Sequence, residues 1–275
     1  MNQKKHRARS AKTTRRDFLK TTGMLAAGAA VSGGLSVARS AQAAGSGTIK
    51  IALIGAGGRG TGAAVNALNN ASNPNVKLWA IADAFQDRLQ RSLKGIQSHC
   101  QGKVDVGDRK FTGLEAYEKA IDSGVDMVLL CTPPGFRPMQ FEAAVKAGKH
   151  VFMEKPLGVD APGVRRIKAA NEQAKRKKLL VAVGHHLRHE KKHQEVVKRI
   201  HDGAIGDVML MRAYFNSSGV WVRPRKPDQT EMQHQVSNWY YFNWVCGDHI
   251  VEQHVHNLDG MNWSKKDRHP VEANG

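Results

Sequence analysis

One stretch restricts the fold more than any other. Thr48-Ile49-Lys50-Ile51-Ala52-Leu53-Ile54, a β-branched apolar run, passes directly into Gly55-Ala56-Gly57-Gly58-Arg59-Gly60 and then into a helical pattern from Thr61 to Asn69. Strand, glycine turn and helix in that order open a βαβ unit. The glycines have separate tasks. Gly55 permits the tight turn, Gly57 lets the backbone approach a pyrophosphate, and Gly60 lets the helix pack on the strand. The helix start presents unpaired N–H groups to an anion, which brings Gly58 and Arg59 into the candidate set. A second strand, Val76 to Ala82, ends in Asp83, 23 residues beyond Gly60. A carboxylate at that distance meets the hydroxyls of an adenosine ribose. Asp83 repels a 2′-phosphate and so favours NAD, while the neighbouring Arg88 works towards NADP.

Alternation continues along the chain. A helix is expected near Asp87–Ser98, a short strand at Lys110-Phe111, a helix at Leu114–Ser123 and a strand from Asp126 to Cys131. A helix from Arg137 to Ala147, capped by Gly148, and the strand His150-Val151-Phe152-Met153 complete the series. The pattern predicts an α/β fold, a doubly wound parallel sheet of the Rossmann type. Thr132-Pro133-Pro134 forms a rigid turn at the carboxyl edge of that sheet, where ligands bind in such folds.

The segment Ala147-Gly148-Lys149-His150-Val151-Phe152-Met153-Glu154-Lys155-Pro156 resembles the Gfo/Idh/MocA oxidoreductases. The resemblance implies a lysine beside the nicotinamide ring, which falls on Lys155, with Glu154 next to it in the cofactor site. A cation there can polarise a carbonyl or steady a developing alkoxide. A second constellation runs from Gly247 to Asp259. As a regular helix it places His249, Glu252, Gln253 and His256 in one sector, with Val251, Val255 and Leu258 opposite. The resemblance implies that Glu252, His256 and Asp259 line a substrate pocket, with glutamate standing where aspartate is commoner. His256 is then the acid/base for the substrate hydroxyl proton, since histidine titrates near neutral pH. Glu252 orients it or binds a hydroxyl.

The strand around Leu179–Gly184 resembles the family's next strand, and its trailing Arg188 is a secondary substrate contact. A helix at Glu190–His201 and a strand at Asp207–Phe215 follow. The loop Asn216–Ser237, with Trp221, Arg223 and Arg225, and then Trp239, Tyr240 and Tyr241, reads either as a sugar-stacking surface or as a satellite aromatic core. A zinc reading of His249, Glu252 and His256 departs from the helical zinc-hydrolase spacing, so no metal is expected. The implied reaction moves hydride to or from a secondary alcohol carbon of a small-molecule sugar or cyclitol, with tightly held NAD or NADP. Two other readings stand beside it: an NAD-dependent glycoside hydrolase of the same fold, and a non-catalytic ligand-binding relative.

Charge and targeting set the context. The formal charge is +18, but residues 1–43 carry nine Lys/Arg and one Asp, and twelve more Lys/Arg face three Glu between Arg165 and Arg199. The latter reads as solvated helix faces, and no nucleic-acid partner is expected. Thr14-Arg15-Arg16-Asp17-Phe18-Leu19-Lys20, the weakly apolar Ala/Gly-rich run after it and Ala41-Gln42-Ala43 resemble a twin-arginine export signal with its cleavage site. The twin-arginine translocase is thus an expected partner, the periplasm the expected compartment, and no stable membrane anchor is expected. Three widely spaced cysteines, Cys100, Cys131 and Cys246, suit neither zinc nor a disulfide framework. The expected organisation is a signal at 1–43, an NAD(P)-binding domain at 44–160 and an incomplete α+β substrate domain at 161–275. The resemblance implies a large open sheet beyond Gly275. The chain is therefore expected to be a fragment, a frameshifted frame or half of a split protein. It is expected to bind NAD weakly alone and to form a homo-oligomer in full-length form.

Overall fold

Strands whose residues alternate between two buried faces need helices on both sides, and the computed structural model arranges the chain that way. It describes residues 47–70 and 74–274. The expected signal and cleavage site lie outside them. Six strands form one sheet: β1 (Ile49–Ile54), β2 (Val76–Asp83), β3 (Lys110–Thr112), β4 (Met127–Leu130), β5 (His150–Met153) and β6 (Val181–Val183). Their order is β3-β2-β1-β4-β5-β6 and every pairing is parallel. The connecting helices are α1 (Gly58–Asn70), α2 (Gln86–His99), α3 (Ala116–Asp122), α4 (Arg137–Lys146) and α5 (Ala161–Arg176). The sheet continues to β6, so it runs past the boundary expected at residue 160.

The period-2 pattern of the strands sorts side chains onto two cores. Ala52, Ile54, Val128, Leu130, Val151 and Met153 face Tyr117 of α3, Phe141 and Val145 of α4, and Ile167 of α5. Ile51, Leu53 and Leu129 face Ala64 and Leu68 of α1 and Leu89 and Ile96 of α2. Full burial of such aliphatic side chains contributes about 2 kcal/mol each. In β2 the register shifts opposite Ile51/Ala52, so Leu78 and Ala80 face different cores although they are two apart. That extra residue re-phases the strand and delivers Asp83 to its carboxyl end.

The order reverses between β1 and β4, which opens a crevice at their carboxyl ends. After β6 the chain forms a short helical turn (His186–His189) and α6 (Lys191–His201). The strand expected at Asp207–Phe215 does not form. Those residues are irregular, with Met209, Leu210 and Tyr214 strongly exposed. A strand needs a neighbour for its N–H and C=O groups, and the described residues supply none there. Next come α7 (Glu231–Ser237), begun by a Thr230/Gln233 capping box, a 3-10 turn (Trp239–Tyr241) and a short turn (Asn243–Cys246). The helix expected across Gly247–Asp259 is broken in phase. Ile250–His254 is a π-helical turn that passes into α8 (Val255–Ser264). Its wider turn rotates the face computed for a regular helix. Among the described residues no helix is long and apolar enough to cross a membrane. The helices of the basic Arg165–Arg199 stretch carry local pairs such as Lys175–Glu172 and Arg199–Glu195, on exposed faces.

Candidate active site

The glycine turn is built by steric necessity. Gly55 has φ +94°, and a Cβ there would lie 2.5 Å from the Thr132 nitrogen. A Cβ on Gly60 would collide with the Gly55 carbonyl oxygen. Gly57 and Gly58 differ from both, because apart from adjoining residues and the backbone of α1 no protein atom lies within 4 Å of where their Cβ would be. The backbone there faces open space. Since α1 begins at Gly58, its first-turn N–H groups lack intrahelical carbonyls and make an anion cradle.

At the end of β2, Asp83 accepts the Ala56 N–H at 2.7 Å and the Phe85 N–H at 2.9 Å, one on each oxygen. A carboxylate has about four acceptor positions, so each oxygen can take a ribose hydroxyl as well. Burial lifts the Asp83 carboxyl above its ordinary value, opposed by those two N–H groups and the Arg88 charge. Arg88 stacks on Phe85 and donates to the Ser237 carbonyl at 3.1 Å.

At the end of β4, the Thr132 hydroxyl donates to Gln140 Oε1 at 2.6 Å, and Arg137 donates to the carbonyls of Thr132 and Pro156. Arg137 is 4% exposed, and burial pushes its guanidinium down to about 10. It ties the β4 turn to the cis Lys155–Pro156 bond. The sequence reading missed this brace. Its signal was a basic residue directly after Pro133-Pro134-Gly135-Phe136, at the head of a buried helix.

After β5, Glu154 is 6% exposed and its Oε1 takes Arg59 Nε and NH2, both at 2.7 Å. Lys155 Nζ donates to Glu252 Oε2 at 2.8 Å and to the Glu252 carbonyl at 2.6 Å. Lys155 and Glu252 are both largely buried. Burial raises the Glu252 carboxyl, and the Lys155 ammonium opposes that rise. The structure thus gives the Glu252 carboxylate to Lys155 and not to His256.

These groups line one cleft of about 470 Å³, along with Thr132, Pro133, Trp221, Arg223 and Trp239. Pro134, expected with them, is buried at the start of a 3-10 turn and does not line it. The cleft has the size of a cofactor site. Open glycine backbone, an unpaired helix start and a carboxylate with spare acceptor positions fit an adenine dinucleotide.

The remaining candidates form a neighbouring network. Arg188 donates to both Asp259 oxygens, at 2.8 and 3.1 Å, and to Asp267 at 2.7 Å. His256 packs edge-on against His186, with ring centroids 4.9 Å apart, and lies 6.2 Å from His185. Burial, then the charges of Lys155 and the two histidines, push His256 down to about 4. His249 is exposed and bonds Asp248, while Gln253 donates to Tyr240. The sector expected to unite His249 with Glu252 is therefore dispersed by the π turn. Among the described residues no three His, Cys, Asp or Glu side chains are grouped to hold a metal ion.

Residues 49–185 match the model of an oxidoreductase family with an NAD-binding Rossmann fold, Gfo/Idh/MocA. Its Rossmann domain belongs to the Gfo/Idh/MocA oxidoreductase family. Residues 12–32 match the twin-arginine translocation signal. Inositol 2-dehydrogenase of Rhizobium meliloti is 30% identical over 60% of this chain and 44% of its own length. Inositol 2-dehydrogenase 4 of Saccharopolyspora erythraea is 32% identical over 62% of this chain and 46% of its own. The chain thus spans about half the length of the curated relatives it matches. Among solved structures, scyllo-inositol dehydrogenase from Lactobacillus casei with bound NAD(H) and scyllo-inositol superposes with TM-score 0.58 at 25% identity. That likeness covers 79% of this chain and 55% of that one. The family and the doubly wound fold expected from the Gly55–Gly60 and Glu154-Lys155-Pro156 motifs are both met.

Proposed function

We propose that this chain belongs to an exported, NAD(P)-dependent dehydrogenase that moves hydride to or from a secondary alcohol carbon of a cyclitol such as an inositol. One observation carries the reading: the glycine cradle, Asp83 and the buried Lys155–Glu252 pair open onto a single cleft. The dinucleotide, when bound, supplies the hydride acceptor or donor. Gly57, Gly58 and the first turn of α1 hold its pyrophosphate, Asp83 its adenosine ribose, and Thr132 and Pro133 flank its path. Glu154 fixes Arg59 at the rim of the cradle.

Lys155 Nζ steadies negative charge as it grows on the substrate oxygen. Glu252 pairs with that nitrogen inside a buried site and aims it, a positioning role in place of the histidine-orienting one first expected. His256 is neutral at neutral pH and acts as base for the hydroxyl proton. Asp259, held by Arg188, binds a further substrate hydroxyl. The periplasm is the proposed destination, with the cofactor acquired before export and retained. Mass spectrometry of the exported protein should find a co-purifying dinucleotide, and its absence would refute retention.

The reaction itself is tested by incubating the protein with NAD or NADP and a panel of inositols, following reduced-nicotinamide absorbance. Substrate-dependent reduction, lost in Lys155→Ala, is the expected result. Dinucleotide binding with no reduction by any cyclitol would overturn the assignment.

A further inference from the structure

Two arginines converge beside Asp83 from different parts of the chain. Arg88 comes from α2, and Arg223 from the irregular segment that precedes α7. Both donate to one acceptor, the Ser237 carbonyl, at 3.1 and 2.9 Å. Arg223 is fixed at both ends, since its own N–H donates to Asn238 Oδ1 at 2.9 Å and its guanidinium lies 4.2 Å over the Trp221 ring. Neither arginine makes an ion pair among the described residues, whereas the nearby Arg91 is paired with Asp87 at 2.6 Å. A guanidinium has more donors than one shared carbonyl can use. Burial, then the charge of Arg223, lowers the Arg88 guanidinium from its ordinary value, and burial, then the charge of Arg91, lowers that of Arg223. Both line the dinucleotide cleft at the Asp83 end.

Asp83, Asp87, Arg88, Arg91 and Arg223 leave one surplus positive charge where the adenosine ribose is proposed to lie. The Asp83 oxygens are each already engaged by a main-chain N–H, which tempers the repulsion that such a carboxylate exerts on an anion. Paired guanidiniums are suited to a phosphate because several parallel N–H donors meet its oxygens.

We propose that Arg223, with Arg88, seats a 2′-phosphate on the adenosine ribose and makes the protein accept NADP(H) at least as tightly as NAD(H). This rests on the dinucleotide reading of the cleft. Arg223 is then a specificity-determining residue contributed from outside the Rossmann sheet. It replaces the NAD preference that Asp83 alone would impose.

Trp221 and Trp239 line the same end of the cleft and report binding directly. Their emission is titrated with NADPH and with NADH, for the wild-type chain, Arg223→Gln and Arg223→Lys. The wild type should bind NADPH at least as tightly as NADH. In Arg223→Gln the NADPH-to-NADH affinity ratio should fall about tenfold, the loss of one charge-assisted contact, and Arg223→Lys should restore part of it. A wild type that binds NADH more than tenfold tighter than NADPH overturns the proposal. So does a loss in Arg223→Gln that is equal for both nucleotides, because a guanidinium that only caps α7 would produce it. In both of those cases the dinucleotide reading stands, whereas failure of either nucleotide to bind the wild type sinks both.

Discussion

Lys155 and Glu252 show how a buried charge is kept usable. Removing one partner of such a pair leaves the other desolvated and uncompensated, at a cost of about 3 kcal/mol. Glu252→Gln should therefore lower the denaturation midpoint and also loosen the aim of the Lys155 ammonium. In that variant kcat/KM should fall about tenfold or more with dinucleotide affinity unchanged, and an unmoved kcat/KM would show that Glu252 does not position Lys155. The folded-state value of His256, about 4, lies below the ordinary histidine value. Between those two values the unfolded chain binds the extra proton, so stability falls as pH drops through that window. His185 is depressed in the same direction. Urea melts should show that fall in the wild type and a shallower one in His256→Gln; identical slopes would rule out a half-buried neutral His256. The placement of Asp83 and Lys155 at strand ends on one cleft was legible from the motifs around them. Partnerships were not, because the Lys155–Glu252 contact spans 97 positions and depends on how two distant elements pack.

At the scale of elements, the glycine turn separates structural demand from ligand demand. Gly60→Ala puts a methyl group into the Gly55 carbonyl and should destabilise the fold by about 2 kcal/mol or more. Gly57→Ala meets no protein atom beyond its chain neighbours. It should leave the melting curve within about 0.5 kcal/mol of wild type while weakening dinucleotide binding about tenfold by obstructing the cradle. Equal destabilisation by the two, in parallel chemical denaturation and binding curves, would argue against a pyrophosphate at Gly57. The six parallel strands were readable in advance except for their ends, because apolar runs such as Met127–Leu130 and His150–Met153 are bounded by turn residues. Two elements were not. Asp207–Phe215 has strand-like residues but no strand beside it, and Ile250–His254 adopts a π turn that a regular helical period does not encode. That turn is why His249 faces solvent while Glu252 is buried.

Across the whole molecule, the sheet and its helices carry both buried cores, and the segment from Asp207 to Gln229 has almost no regular structure. Yet Trp221 and Arg223 of that segment line the cleft proposed for the dinucleotide. Limited proteolysis of the intact chain should cut first between those residues, and added dinucleotide should protect the bonds around Trp221 and Arg223. Cleavage unaffected by nucleotide would separate this segment from the site. Its part in the cleft was hidden in the sequence, where Trp221, Arg223 and Trp239 read equally well as a sugar surface or an aromatic core. The central claim, that a nicotinamide ring lies beside Lys155, is tested most directly by a crystal structure of the protein with NAD(H) and an inositol. The pyrophosphate should rest on Gly57 and Gly58, with the reacting substrate oxygen about 3 Å from Lys155 Nζ. A dinucleotide bound elsewhere, or a ring turned away from that ammonium, would contradict it.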